Sequence, residues 1–266
     1  MTNPAPKPAA RPAASLSVTA LAGIPPVKAG DDIADLVLRG LGASGFALQH
    51  GDVIAIAQKI VSKAEGRLVA LATVTPSARA ISLAADVNKD ARLVELILRE
   101  STEVVRHRKD VIVVAHRNGY VLANAGIDAS NVGTGDGDSH VLLLPEDSNR
   151  SCREIRARLH ARTGIAPGIL IVDSLGRAWR NGTVGTALGV AGMPALLKLA
   201  GRSDLDGRRL RTTEVGIGDE VAAAASLLMG QADEGTPAVL LRGLALPDGD
   251  GSGDDLIRPR QLDLFR

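Results

Sequence analysis

The chain has 266 residues, 45% hydrophobic and 23% charged, a balance that builds one large domain or two small ones and excludes a disordered chain. Lys and Arg total 31 against 30 Asp and Glu, and aromatics are only 2%, so the charge excess and stacking residues of a dedicated nucleic-acid binder are missing. The single cysteine, Cys152, excludes a disulfide framework and a Cys-rich zinc site, and no apolar run reaches the roughly 20 residues of a membrane helix. The expectation is a soluble cytoplasmic protein without membrane or nucleic-acid partners.

Residues 1–15 are rich in Ala and Pro, lack a signal-peptide core and read as a disordered tail. Ordered structure is expected over 16–246, with 247–266 as a C-terminal tail. LSVTALAGIPPV reads as a strand stopped at Pro25-Pro26. A helix is expected from Asp32, with Ile33, Leu36, Val37 and Leu41 on one face and Asp31 as its cap. GDVIAIAQ, from Gly51, reads as a buried strand. Helices are expected over 77–87 and 90–107, the second with Leu93, Val94, Ile97, Val104 and Val105 on one face.

DVIVVAH and YVLANAG read as strands joined at Asn118-Gly119, a good hairpin signal. A Gly/Asp loop follows over 133–139, then VLLLP as a strand and a helix from Ser148. GILIVDS is the clearest buried strand, DEVAAAASLLMG a helix and AVLLRG a final core strand. Pro247 to Asp255, rich in Gly and Asp, is expected to be mobile. The irregular alternation and the hairpin argue for α+β rather than a doubly wound sheet, and no Walker loop or GxGxxG fingerprint is present.

Four polar clusters follow apolar segments. In QKIVSKAEGR, Lys59, Lys63 and Arg67 recur every four residues, which fits a solvated helix face or a phosphate-contacting lysine at a strand exit. In NAGIDASN, Asp128 can hold a hard cation or close an Asx turn. In DSLGRAWR, Asp173 and Ser174 supply oxygen donors and Arg177 and Arg180 follow, as a metal–phosphate site needs; a capped turn with surface arginines fits too. MGQADEGTP reads as a helix end running into an acidic loop. The histidines lack metal-ligand spacing, and no nucleophile elbow is present. The combination suits catalysis by positioning and charge neutralisation around metal ions.

Seven ordered blocks carry a resemblance: GIPPVKAGDD, GDVIAIAQKIVSKAEGR, ANAGIDASN, LLPEDSNRS, DSLGRAWRNGTVGTALGVAG, RSDLDGRRL and LLMGQADEGTPAVLLRG. From about Leu16 to Gly243 the sequence resembles the coenzyme F-420:L-glutamate ligases, the γ-glutamyl ligases of the deazaflavin coenzyme. The resemblance implies an unusual mixed α/β fold in an intertwined homodimer. It implies GTP-dependent joining of L-glutamate to the lactyl carboxylate of coenzyme F-420-0, then γ-linked glutamates, with two Mg²⁺ or Mn²⁺ per site and stimulation by K⁺ in some members.

Carried over to this sequence, the GTP-contacting turn is Ile24, Pro25, Pro26 and Val27, and the strand-exit contacts are Gln58, Lys59 and Lys63. Asp128 and Asp173 are implied ligands of the first metal, Ser174 and Gln231 of the second, and Asn131 a nucleotide contact. A further nucleotide loop is Met229, Gly230, Gln231, Ala232, Asp233, Glu234, Gly235 and Thr236. Ser174 stands where threonine is usual and Gln231 where many members have a carboxylate. The chain is too short for the nitroreductase-like domain of some members and is expected to be a stand-alone form. Lys63 is expected to neutralise phosphate charge, and Arg177 and Arg180 to bind substrate carboxylates or the transferring phosphoryl group. The rivals are a ligase of the same fold acting on another carboxylate and a non-catalytic nucleotide sensor.

Overall fold

The computed structural model describes residues 14–129 and 140–265. Its largest sheet has five strands in the order β1 (Ser17–Ala20), β12 (Ala238–Arg242), β2 (Val53–Ala57), β8 (Gly168–Arg177) and β9 (Arg180–Ala191). β2 and β8 run parallel at its centre, and all other pairs are antiparallel. A strand covered on both faces needs apolar residues at every position. VIAIA of β2 and GILIV of β8 meet that demand, and the odd and even positions enter different cores.

Ile54, Ile56, Ile169 and Ile171 face α1 (Ile33–Ala43), α2 (Gln58–Ala64) and α5 (Ser148–Thr163). Val53, Ala55, Leu170 and Val172 face α6 (Ile217–Met229) through Val221, Ala222 and Ala225. With so few aromatics, close packing falls to small residues. A Cβ on Gly185 would lie 2.5 Å from the Ala222 carbonyl oxygen, and one on Gly189 2.4 Å from that of Ser148. Gly185 and Gly189 of the GTVGTALGVAG stretch are thus where α6 and α5 approach β9.

A second lobe is the three-stranded sheet β4 (Ser101–Arg108), β5 (Val111–His116) and β6 (Val121–Ala123) under α3 (Ala78–Val87) and α4 (Ala91–Arg99). The short pairs β3 (Leu68–Ala70) with β7 (His140–Leu142), and β10 (Leu197–Lys198) with β11 (Glu214–Val215), complete the described strands. The architecture is α+β. Among the described residues no helix is long and apolar enough to cross a membrane.

Four local expectations are corrected. Asp32, not Asp31, caps α1, accepting from the Ala34 N–H at 2.9 Å, while Asp31 accepts from the Lys28 N–H at 2.8 Å. The helix expected over 90–107 stops at Arg99, and Val104 and Val105 lie in β4. β-Branched residues suit a pleated strand, and pairing with β5 outweighs the continued helical spacing. β8 runs past Asp173 to Arg177 and turns into β9, a twelve-residue strand hidden by its glycines. The segment expected to be mobile is packed: Gly253–Leu256 forms a 3-10 turn, and Asn149 Oδ1 accepts from the N–H groups of Gly253 (2.7 Å) and Val190 (3.2 Å).

Candidate active site

The last residue pair between β2 and β8 is Ala57 with Val172. Beyond it, among the described residues, β8 pairs with β9 alone, as a two-stranded arm. The carboxyl ends of neighbouring parallel strands leave a crevice where open sheets place their ligands. Here that crevice is a cavity of about 770 Å³.

Four segments wall it besides β8. The Ile24–Val27 turn enters with two prolines, and α2 brings Gln58 and Lys59 from its start and Lys63 from its last turn. The turn after β6 brings Asp128, and the loop after α6 brings Met229 to Pro237. Asn124, Ala125 and Gly126 all have positive φ (51°, 55° and 67°), a sharp reversal that delivers Asp128 to the cavity rim. Its backbone is then pinned by reciprocal hydrogen bonds with Leu142, at 3.0 and 2.8 Å. In the α6 loop Gly230 has φ of 70°, and a Cβ there would lie 2.0 Å from Glu234 Cδ, so glycine is required. The Glu234 carboxylate accepts from the Ala232 N–H at 2.9 Å, and Thr236 Oγ1 donates to the Leu228 carbonyl at 2.7 Å.

At the centre stand two carboxylates. Asp128 Oδ2 accepts from Gln58 Nε2 at 2.8 Å, and its Oδ1 lies 3.4 Å from Lys59 Nζ. Asp173 Oδ1 accepts from the Ser174 N–H at 2.8 Å. Burial, then the neighbouring charge of Asp128, pushes the Asp173 carboxyl up to about 7. Burial raises Asp128 as well, against the pull of Lys59 and Gln58. Burial and then the charge of Lys59 lower the Lys63 ammonium. Two buried carboxylates, both raised and one of them by the charge of the other, mark a place where positive charge is under-supplied.

The donor set fits a hard divalent cation. Among the described residues no group of three or more His, Cys, Asp or Glu could hold a metal. Two carboxylates and a hydroxyl leave the remaining positions to phosphate oxygens and water, as Mg²⁺ commonly requires.

Ile24, Pro25, Pro26, Val27, Gln58, Lys59, Lys63, Asp128, Asp173, Ser174 and Met229 to Thr236 thus all border one cavity. Asn131 lies outside the described residues. Arg177 and Arg180 sit exposed at the tip of the arm, and the cavity of their own chain is assembled without them. Asn124, Gly126 and Ile127, inside the NAGIDASN cluster but not singled out individually, also line it, as does Ser226, which nothing in the local pattern of α6 marked.

Sequence comparison places this cavity within a class of ligases. The chain belongs to the F-420-0:gamma-glutamyl ligase family, whose profile matches residues 23–243. It is 47% identical over 255 residues to the coenzyme F-420:L-glutamate ligase of Methanothermobacter thermautotrophicus, covering 94% of this chain and 99% of that protein. The ligase of the same name from Methanopyrus kandleri is 46% identical over 244 residues, covering 90% and 93%. That of Haloarcula marismortui is 38% identical over 257 residues, covering 94% and 96%.

Proposed function

We propose that the protein is a GTP-dependent ligase that joins L-glutamate to the lactyl carboxylate of coenzyme F-420-0 and then adds γ-linked glutamates. The observation that carries the reading is the Asp128–Asp173 pair beside Lys59 and Lys63 on one cavity inside the matched span. Amide formation from a free carboxylate is uphill in water, so the acceptor must be activated. Its carboxylate oxygen attacks the γ-phosphorus of GTP, GDP leaves, and an acyl phosphate results. The glutamate α-amine then attacks the acyl carbon, phosphate departs, and the amine's surplus proton passes to solvent.

The chain positions and neutralises rather than supplying a nucleophile. Asp128 and Asp173, with Ser174 Oγ and the Gln231 side-chain oxygen, would hold two Mg²⁺ or Mn²⁺ ions, which supply neutralisation of the phosphate oxygens. Lys63 faces the same charge. The Ile24–Val27 turn and the Met229–Thr236 loop would grip the nucleotide from opposite walls. Arg177 and Arg180, outside their own cavity, would reach acceptor carboxylates from the arm of a second copy in a homodimer.

Mass spectrometry of the product from purified protein, F-420-0, GTP, glutamate and Mn²⁺ tests the reading. Products heavier by whole glutamyl units, with GDP release dependent on F-420-0, are expected. GDP release that needs a different carboxylate, or GTP bound and never turned over, would replace this reading with one of its rivals.

Three further results are expected. Light scattering should return twice the 27.5 kDa chain mass at micromolar concentration. Mixed dimers of Asp173→Asn with Arg177→Ala/Arg180→Ala should regain activity that neither parent has, because one composite site is then intact; no regain would place the arginines in their own chain's service or outside the reaction. In the α6 loop, Gln231→Glu should lower the Mn²⁺ concentration for half-maximal rate, because a carboxylate adds a charge–charge attraction that an amide oxygen lacks. Superimposable titrations would remove Gln231 from the metal site.

A further inference from the structure

Behind the two carboxylates lies a polar contact that the reaction scheme does not use. Gln58 is 1% exposed and Ser62 fully buried, one turn apart on α2. Ser62 Oγ donates to Gln58 Oε1 at 3.0 Å, and Gln58 Nε2 donates to Asp128 Oδ2 at 2.8 Å. Lys59 meets the other oxygen of the same carboxylate at 3.4 Å. Asp128 is therefore gripped at both oxygens from the first turn of one helix, while its backbone is held by Leu142 of β7.

A glutamine amide is nearly symmetric in shape and opposite in polarity at its two ends. Turned over, Gln58 would present an acceptor oxygen to Asp128 Oδ2, and two acceptors at 2.8 Å repel. The carboxylate, an acceptor at both oxygens, selects the donating face. The Ser62 hydroxyl then gives the buried Oε1 its hydrogen bond and holds the amide against Asp128. The selection matters most here because the cavity side of Asp128 must stay aimed at a shared centre with Asp173.

We propose that Ser62 is a positioning residue of the Asp128–Asp173 centre, acting through Gln58: its hydroxyl fixes the amide so that Asp128 is held ready for a divalent cation. Gln58, expected from sequence as a nucleotide contact, thereby has its side chain committed to the carboxylate. The inference rests on the metal reading above. Ligand-orienting groups of this kind change metal affinity by about tenfold or more when removed.

The test is Mn²⁺ binding to the purified protein without nucleotide, read from the electron paramagnetic resonance signal of free Mn²⁺. Ser62→Ala should weaken binding about tenfold with an unchanged circular dichroism spectrum. Ser62→Thr, which keeps the hydroxyl, should stay near wild type. Gln58→Met should weaken binding comparably, and adding Ser62→Ala to it should change nothing more, since the hydroxyl then has no amide to orient. Wild-type affinity in Ser62→Ala, or additive losses in the double variant, would overturn the relay while leaving the metal site standing. A wild-type protein that binds no Mn²⁺ would overturn the metal reading and the relay together. If Ser62→Ala does not fold, Ser62→Cys takes its place, with similar volume and only a weak donor.

Discussion

Asp173→Asn should abolish ligase turnover and leave the protein folded. The substitution keeps the size of the side chain and removes its charge from the pair that would hold the metal. Metal assistance supplies several kcal/mol of transition-state stabilisation, and at about 1.4 kcal/mol per tenfold the loss should reach about a thousandfold. Stability should move the other way in metal-free protein. The Asp173 carboxyl is raised in the fold, to about 7, by burial and by Asp128. The folded state therefore holds a proton that the unfolded chain releases at lower pH. Wild-type stability should fall as pH rises from the ordinary carboxylate range through about 7, and Asp173→Asn should lack that fall. Thermal melts with chelator across this range, run beside GDP-release assays, read both arms. A variant that is inactive and less stable at pH 8 would mean that Asp173 serves the fold rather than the metal.

Glu100→Gln should be the most destabilising single change outside the cavity. Glu100 ends α4 just before β4, and its side chain is 9% exposed. Its Oε2 lies 2.9 Å from Arg67 Nη2, 3.2 Å from Arg117 Nη2 and 3.6 Å from His116 Nε2. Arg67, just past the end of α2, also donates from Nε to the Leu144 carbonyl at 2.9 Å. This cluster ties the segment that carries Lys59 and Lys63 to the lobe that leads into Asp128. Burial pushes the Glu100 carboxyl up, but the neighbouring His116 imidazole and the charges of Arg67 and Arg117 outweigh it and hold it below its ordinary value.

Neutralising Glu100 leaves those guanidinium groups without a buried counter-charge, which costs about 3 kcal/mol and about 10 °C in melting temperature. Because the folded pKa is depressed, the wild-type contribution is present above the ordinary carboxylate value and lost as pH falls through the depressed one. The gap between wild type and variant should close in acid. A gap that stays constant down to pH 3 would mean that packing, not charge, is what Glu100 supplies.

Much of the fold was legible in the sequence because local rules and burial agreed. VIAIA and GILIV are apolar at every position, as strands covered on both faces must be, and they became the parallel pair at the sheet's centre. Asn118-Gly119 predicted the β5–β6 hairpin, and Gly119 adopts φ of 93° there. Where two periodicities competed, the sequence misled. Val104 and Val105 continued a helical spacing, yet the β4–β5 hairpin, in which Val104 pairs with Val114, made them part of a strand. β9 was invisible because its glycines answer to α5 and α6, which no local window contains.

The candidate site divides along the same line. The sequence by itself determined the chemistry: which segments carry carboxylates, lysines and turn-forming glycines, and, through seven ordered blocks, the family. Only the tertiary structure decided which of them meet. Asp128 and Gln58 are 70 residues apart and share a hydrogen bond because a left-handed turn after β6 faces the start of α2. Arg177 and Arg180, close to Asp173 in sequence, are carried away from the cavity because strand pairing continues past it into an arm. Gln58 is held against Asp128 by Ser62, a residue whose type alone carries no sign of function. Spacing along the chain fixes which groups are near in sequence. Which groups share a cavity depends on long-range strand pairing and on the low-dielectric burial that gives each charge its partner.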